Sequence, residues 1–306
     1  VADFTNPGKL AVLLLAHGSP ERVDEIPEFL LQVTGGRPLP PHVVEEVMHR
    51  YSLIGASPLT CWTFDQRDQL SRELGLPTYV GMRNWKPFIA DTVRAMTSDG
   101  IRRAIVICLA PQNSRTSVGL YRSALTANGA SFTFDFVESW HDHPLLIQAF
   151  AEKLLPAWQR ACEELGQKAP IIFTAHSVPQ RTVAEGDPYE SQAKETASLV
   201  AAAAGLTADE WQFAFQSQGM SGGMWLGPTV ESTILALKEK GHRGVFIQPI
   251  GFLCDHVEVL YDIDIGFKQF AEKEGLRLWR AESLNGSLRL TQALADLSRS
   301  RLACVA

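Results

Sequence analysis

Three side chains combine reactive chemistry with telling positions: His176, Glu258 and His17. His176 ends the apolar run Ile171-Ile172-Phe173-Thr174-Ala175 and is followed by Ser177-Val178-Pro179. A histidine there stands at the carboxyl end of an expected buried parallel strand, where open α/β sheets bind ligands. Val12-Leu13-Leu14-Leu15-Ala16-His17-Gly18-Ser19-Pro20 repeats the pattern about half a chain earlier. Glu258 lies in Cys254-Asp255-His256-Val257-Glu258-Val259-Leu260-Tyr261-Asp262-Ile263-Asp264. Asp255 is expected to cap a helix on which Glu258 and Asp262, four apart, share a face. A cleft imidazole facing a cleft carboxylate supplies a neutral base and an anion together, fit to accept protons, bind a divalent metal loosely, or both. Two ligands are too few for a tight structural site, so a transient metal or proton transfer fits better.

The elements that must carry these residues form a long repeat. Thr78-Tyr79-Val80-Gly81-Met82 reads as a strand leading to a loop with Trp85, then to a helix opened by Pro87 and stopped by Gly100. Ala104–Leu109 follows as a buried strand ending at Pro111. The second half repeats the order: strand Phe213–Ser217, a Gly- and Met-rich loop Gln218–Gly227 with Trp225, a helix opened by Pro228, and strand Val245–Ile250. Alternating strands and helices imply parallel sheets with right-handed crossovers. The expectation is an α/β chain of two similar Rossmann-like domains, 1–145 and 146–306, with the active cleft between them. Residues 21–57 interrupt the repeat as a lip beside the cleft. A long helix between Trp140 and Ala169 crosses between the halves, and the helical stretch Leu288–Leu302 is expected to pack back on the first. The first half has no counterpart of Glu258: Asn113 and Ser114 stand where the acidic helix should begin.

Composition narrows the class. The chain has 306 residues, 45% hydrophobic and 20% charged, as expected of a soluble globular protein. A net charge of −6 gives no reason to expect nucleic-acid binding. No apolar run approaches the roughly 20 residues of a membrane span, and the first apolar run, lacking a basic lead, reads as a strand and not a signal peptide. Cys61, Cys108, Cys162, Cys254 and Cys304 are scattered without ligand spacing, which points to a reducing, cytoplasmic setting. Cys254 alone adjoins a site segment.

Several motifs together resemble the ferrochelatase signature. They are Phe173-Thr174-Ala175-His176-Ser177-Val178-Pro179, Gly186-Asp187-Pro188-Tyr189, Trp225-Leu226-Gly227-Pro228, Asp255–Asp262 and Arg280-Ala281-Glu282-Ser283-Leu284-Asn285-Gly286. The first half adds Arg50-Tyr51, Ile54–Pro58 and Ala110-Pro111. The resemblance spans the whole chain in order, and the compact lip is similar to that of the soluble, shorter ferrochelatases. It implies insertion of Fe2+ into a free-base porphyrin in heme biosynthesis, with iron as substrate and no nucleotide or redox cofactor required. Two pyrrole N–H protons must leave, and a cleft that bends the ring contributes about 1–5 kcal/mol of strain.

The resemblance makes His176 the proton acceptor or metal-side ligand, with a reference pKa of about 6.5 suited to a neutral base, and Glu258 its partner. His17 stands where soluble ferrochelatases often carry Tyr, and is expected on the far porphyrin face as an axial ligand of product iron. Trp85 and Trp225 are candidate walls for a flat aromatic ligand. Arg37, Arg50 and Ser57 are candidate propionate contacts, and Ser114, Arg115 and Ser117 are candidates for the cleft lining. Gly266 takes the third place of an outer acidic metal site, and only Cys304 lies near the end of the chain, so neither an outer site nor a [2Fe–2S] cluster is expected. The short, weakly apolar lip favours coproporphyrin III, giving coproheme III; protoporphyrin IX is the alternative. A cobalt or nickel tetrapyrrole chelatase and a non-catalytic tetrapyrrole-binding module remain as other readings. The simplest form is a soluble monomer making transient contact with neighbouring heme-pathway enzymes.

Overall fold

A computed structural model describes residues 9–129, 131–218 and 223–303, the side chain of residue 303 excepted. Cys304 and residues 219–222 of the Trp225 loop lie outside them. Two parallel four-stranded sheets organise the chain. The first comprises β1 (Lys9–Ala16), β2 (Thr78–Met82), β3 (Ile101–Cys108) and β4 (Thr133–Val137), in the order β2-β1-β3-β4. The second comprises β5 (Ile171–His176), β6 (Trp211–Gln216), β7 (Gly244–Pro249) and β8 (Arg277–Arg280), in the matching order β6-β5-β7-β8. His176 therefore ends, and His17 follows, an inner strand at the point where the strand order reverses.

These inner strands are apolar throughout because both faces are covered. Residues 11–15 of β1 are fully buried. Their side chains alternate: Val12 and Leu14 enter a core that includes Ile171 and Phe173 of β5, while Ala11, Leu13 and Leu15 enter a separate core of the first half. Ile172 faces the corresponding outer core of the second half. A central hydrophobic core shared by both sheets thus fixes the relation between the two histidine-bearing strands.

The lip consists of helices α1 (Ile26–Val33) and α2 (Pro41–Ile54), and α3 (Leu59–Leu74) returns the chain to β2. Helices α4 (Ile89–Ser98) and α5 (Val118–Ala127) complete the first half. The long α6 (Pro144–Leu165) follows, and the expected boundary at 145/146 falls in its first turn. The second half adds α7 (Gln180–Ala184), α8 (Tyr189–Ala203), α9 (Val230–Glu239), α10 (Val257–Leu260), a π-helical turn (Asp262–Phe267), α11 (Lys268–Lys273) and α12 (Leu288–Ala303). The apolar stripe of α12, Leu290, Ala293, Leu294 and Leu297, is buried. Its polar edge meets α3, where Thr291 Oγ1 donates to Gln69 Oε1 at 2.8 Å.

Three local expectations change. Each half has a fourth strand, β4 or β8, beyond the three its apolar runs suggest; both are short and partly exposed. Pro87 and Pro228 do not open helices. Their carbonyls accept from Met82 N at 2.7 Å and Phe215 N at 2.8 Å, so helix begins only at Ile89 and Val230. Asp255 is not a helix cap: His256 holds that position, and the regular α-turn ends at Leu260. A π-turn follows, with Gly266 N donating to Tyr261 O at 2.9 Å, so Glu258 and Asp262 do not share one regular α-helical face.

Candidate active site

His176 is held at the end of β5 by partners on three sides. Its main-chain oxygen accepts from Tyr189 Oη at 2.9 Å, and the next residue, Ser177, donates through Oγ to Leu226 O at 3.0 Å. Its Nδ1 donates to the carbonyl of Ser177. That leaves Nε2 facing Glu258 Oε1 at 3.4 Å. Tyr189 belongs to the Gly186–Tyr189 motif, and so does Asp187, which ties the halves together. Asp187 Oδ2 accepts from Ser114 Oγ at 3.1 Å and from Arg115 N at 2.8 Å, both beyond β3.

Glu258 is positioned from below. Gln216, paired with His176 in the β5–β6 register, donates through Nε2 to Glu258 O at 2.7 Å. The preceding loop is fastened to the Ala281–Gly286 segment. Asp255 accepts from Ser283 Oγ and Asn285 Nδ2, each at 2.8 Å, and its amide donates to Asn285 Oδ1 at 2.8 Å. Arg280 pairs with Asp264 through two bonds, at 2.6 and 2.8 Å, and lies 3.3 Å from Asp255. From the first half, Gln66 of α3 donates to Asn285 O at 2.8 Å. Two distant motifs therefore converge on one pair.

The electrostatics of the pair are set by each partner on the other. Burial alone would lower the pKa of His176, but the adjacent Glu258 carboxylate outweighs it and raises the value to about 9. Burial likewise opposes ionisation of Glu258, yet His176, and then His256, hold its pKa well below the carboxylate range. The raised pKa of His176 favours its imidazolium form beside the Glu258 carboxylate, where the sequence alone suggests a neutral base. A third residue, His256, joins the pair: its Nδ1 meets Cys254 O at 3.0 Å and its Nε2 meets Glu258 Oε2 at 3.3 Å. One carboxylate serves two imidazoles. Cys254 itself is buried, and burial pushes its thiol up to about 12.

His17 behaves oppositely. The residue is exposed, yet desolvation lowers its pKa, against the hydrogen bond to Gly18 and the charge of Glu258, which raise it. Nδ1 donates to Gly18 O at 2.9 Å, and Asn84 Nδ2 donates to Nε2 at 2.9 Å. Gly18 has a φ of +83°, and a Cβ there would sit 2.8 Å from Trp85 N, so this turn requires glycine.

The remaining candidates divide. Arg37 is exposed in the lip turn and donates through Nε to Thr34 O at 3.3 Å. Arg50 is engaged: Glu46 Oε1 is 2.9 Å away, the Tyr261 ring centroid 4.9 Å, and Asp262 3.9 Å. Asp262 also accepts from Ser217 Oγ. Its carboxyl is raised by burial and by Glu258, against the opposing hydrogen bond from Ser217. Arg50, Ser217, Tyr261 and Asp262 line a cavity of about 660 Å³. Ser57 is buried, and its hydroxyl has no partner among the described residues. Trp85 is buried edge-on to Phe29 beneath Lys86, so it supports the His17 loop and does not present a free wall. Trp225 is half-buried, and its strand bridge to Pro179 seats its loop on the segment after His176. Ser117 is half-buried at the start of α5 without a side-chain cap. Ser114 and Arg115 are drawn to Asp187, at the seam between the halves.

Among the described residues, no cluster of three or more His, Cys, Asp or Glu side chains is arranged to hold a metal ion, and no helix is long and apolar enough to cross a membrane.

Comparison with known proteins shows the family. The Ferrochelatase family model matches residues 9–302. A ferrochelatase of Acidobacterium capsulatum is 54% identical over 310 residues, covering 96% of this chain and 95% of that protein. A coproporphyrin III ferrochelatase of a Geobacillus species is 35% identical over 306 residues, covering 96% and 98%. In fold, the chain is similar to the cobalt complex of the sirohydrochlorin chelatase SirB from Bacillus subtilis, with a TM-score of 0.58, 9% identity and coverage of 95% and 94%.

Proposed function

The chain belongs to the ferrochelatase family, and from that premise we propose that His176 and Glu258 are the centre through which it handles iron and protons. The enzyme inserts Fe2+ into a porphyrin. Iron and free-base porphyrin are the substrates; metalloporphyrin and two protons are the products. The 3.4 Å approach of Glu258 to His176 carries this reading.

At rest the pair holds a proton on His176. A metal ligand must be deprotonated, and so must a general base. His176 Nε2 therefore sheds its proton before it meets Fe2+ or takes a proton from a pyrrole nitrogen. Glu258 provides the local negative charge that attracts the ferrous ion, and its second oxygen, turned to His256, offers the proton a way off. As Fe2+ arrives, its charge opposes the imidazolium and lowers the affinity of His176 for the proton. Metal entry and proton departure are thereby coupled at one pair. His17, neutral and opposite, suits the other porphyrin face and an axial bond to product iron. No nucleotide, redox cofactor or cluster is needed for this chemistry, and the scattered cysteines fit a cytoplasmic enzyme.

We assign coproporphyrin III as the preferred porphyrin. The exposed Arg37 in a short lip supports a substrate with four propionates, as does the 35% identity to a coproporphyrin III ferrochelatase. One observation favours protoporphyrin IX instead: Arg50 is already occupied by Glu46, Tyr261 and Asp262, which leaves fewer free cations for propionates. Anaerobic insertion rates with the two porphyrins decide between them. Faster metallation of coproporphyrin III, with the difference reduced by Arg37→Ala, supports the assignment; faster metallation of protoporphyrin IX reverses it.

A further inference from the structure

We infer that Asn84 occupies the coordination position of His17, so that His17 takes a porphyrin-bound metal only by exchanging the Asn84 hydrogen bond for the metal bond. The inference rests on the reading above in which His17 faces the metal. A main-chain carbonyl only accepts, so the 2.9 Å contact with Gly18 O puts the ring proton on Nδ1. The lone pair of the neutral ring is then on Nε2. Only the amide end of an asparagine can answer a lone pair, and Asn84 Nδ2 stands 2.9 Å from it.

Asn84 is built into this place. It is 1% exposed. Its main-chain N also donates to His17 O at 2.9 Å, and the neighbouring Arg83 N donates to Ala16 O at 3.0 Å. The side chain is therefore delivered to His17 by a segment zipped onto the end of β1, and burial keeps it from swinging into solvent. The mirrored histidine has the opposite arrangement: His176 Nε2 faces a carboxylate, an acceptor, where His17 Nε2 faces a donor.

This asymmetry has a consequence for turnover. A free-base porphyrin has no metal and leaves the Asn84–His17 bond intact. A metalloporphyrin gains the His17 bond only by breaking it. Asn84 thereby weakens the hold on product relative to substrate, and acts as a positioning residue for product release.

The test uses the full chain and measures dissociation constants for free-base coproporphyrin III and its iron(III) complex, with the absorbance and resonance Raman signature of the bound iron. Asn84→Ala removes the donor, and is expected to tighten the iron complex relative to the free base by roughly two- to tenfold, the worth of one net hydrogen bond. Asn84→Asp keeps the size but turns the donor into an acceptor, which demands a proton on Nε2; it is expected to weaken the iron complex and its imidazole signature. Opposite signs for these two variants cannot come from loss of packing, which gives the same sign for both. In a His17→Ala background, Asn84→Ala is expected to leave the ratio unchanged. If His17→Ala alters neither the iron spectrum nor the ratio, the ligation reading fails and takes this inference with it. If His17→Ala alters both but the Asn84 variants shift the ratio equally or not at all, the Asn84 inference alone is overturned.

Discussion

The hydroxyl of Tyr189 donates to the main-chain oxygen of His176 at 2.9 Å, so the motif that clamps the two halves also holds this histidine. Removing that hydroxyl leaves a part-buried carbonyl without this donor. Tyr189→Phe is expected to cost about 1–3 kcal/mol of stability and to slow metallation without abolishing it. Urea unfolding and initial rates measured on one preparation check this; an unchanged midpoint and rate would show that the contact does not position His176.

The Glu258–His176 pair links stability to pH. The folded pKa of His176, about 9, lies above its ordinary value near 6.5. Its contribution is therefore fully present below about pH 6.5 and fades as pH rises through about 9. Glu258 is shifted the other way, so its contribution is present above the usual carboxylate value and is lost in acid. Glu258→Gln removes both. The stability gap between wild type and Glu258→Gln is expected to be widest near pH 6 and to narrow above pH 9, and the His176 resonance in the variant to titrate well below its wild-type pH. Denaturant midpoints across pH, with NMR titration of the imidazoles, read this directly.

Asp255 anchors the loop that presents Glu258, accepting from Ser283 and Asn285 and lying beside Arg280. Asp255→Ala leaves these donors facing an empty acceptor site. The expected loss is about 1.5–3 kcal/mol, the range for a hydrogen bond to a charged group, with a larger fall in kcat than in porphyrin affinity. Comparing kcat with free-base porphyrin Kd separates loop positioning from a general loss of structure, which would lower both.

Gly18 turns the chain after β1 directly beneath His17. Gly18→Ala introduces a Cβ at positive φ against the Trp85 backbone. A loss of more than about 1 kcal/mol is expected, because backbone cannot move aside as a flexible side chain can. Thermal unfolding measures it; a neutral substitution would mean that the turn relaxes easily.

Residues that sit where a pattern stops were legible in the sequence. His17 and His176 interrupt apolar runs, and Glu258 follows the third strand of its half, so the repeat itself points to them. The asymmetry of the two halves was also visible, since no acidic residue matches Glu258 after β3. Properties created by tertiary neighbours were not. The protonation of His176 is set by a carboxylate that arrives from another loop, and a reference pKa carries no trace of it. Asn84 meets His17 across 67 residues, and nothing in Arg83-Asn84-Trp85 marks the asparagine as its partner. His256 was visible only as part of a motif; its contact with the second oxygen of Glu258 required the fold. Trp85 illustrates the reverse error, because an aromatic in a cleft loop suggests a ligand wall, yet the loop turns it inward against Phe29. The short strands β4 and β8 escaped because each carries polar, partly exposed residues where a longer apolar run would have declared a strand.

The central claim is that His176 and Glu258 act on metal and protons and are not needed to hold the porphyrin. The most direct measurement follows porphyrin absorbance under anaerobic conditions with Fe2+ for wild type, His176→Ala and Glu258→Ala, alongside the free-base porphyrin Kd of each. Both variants are expected to bind porphyrin within a few fold of wild type and to lose metallation by about 100-fold or more, in the range for loss of a general acid–base group. Metallation at near wild-type rates in both variants would contradict the assignment.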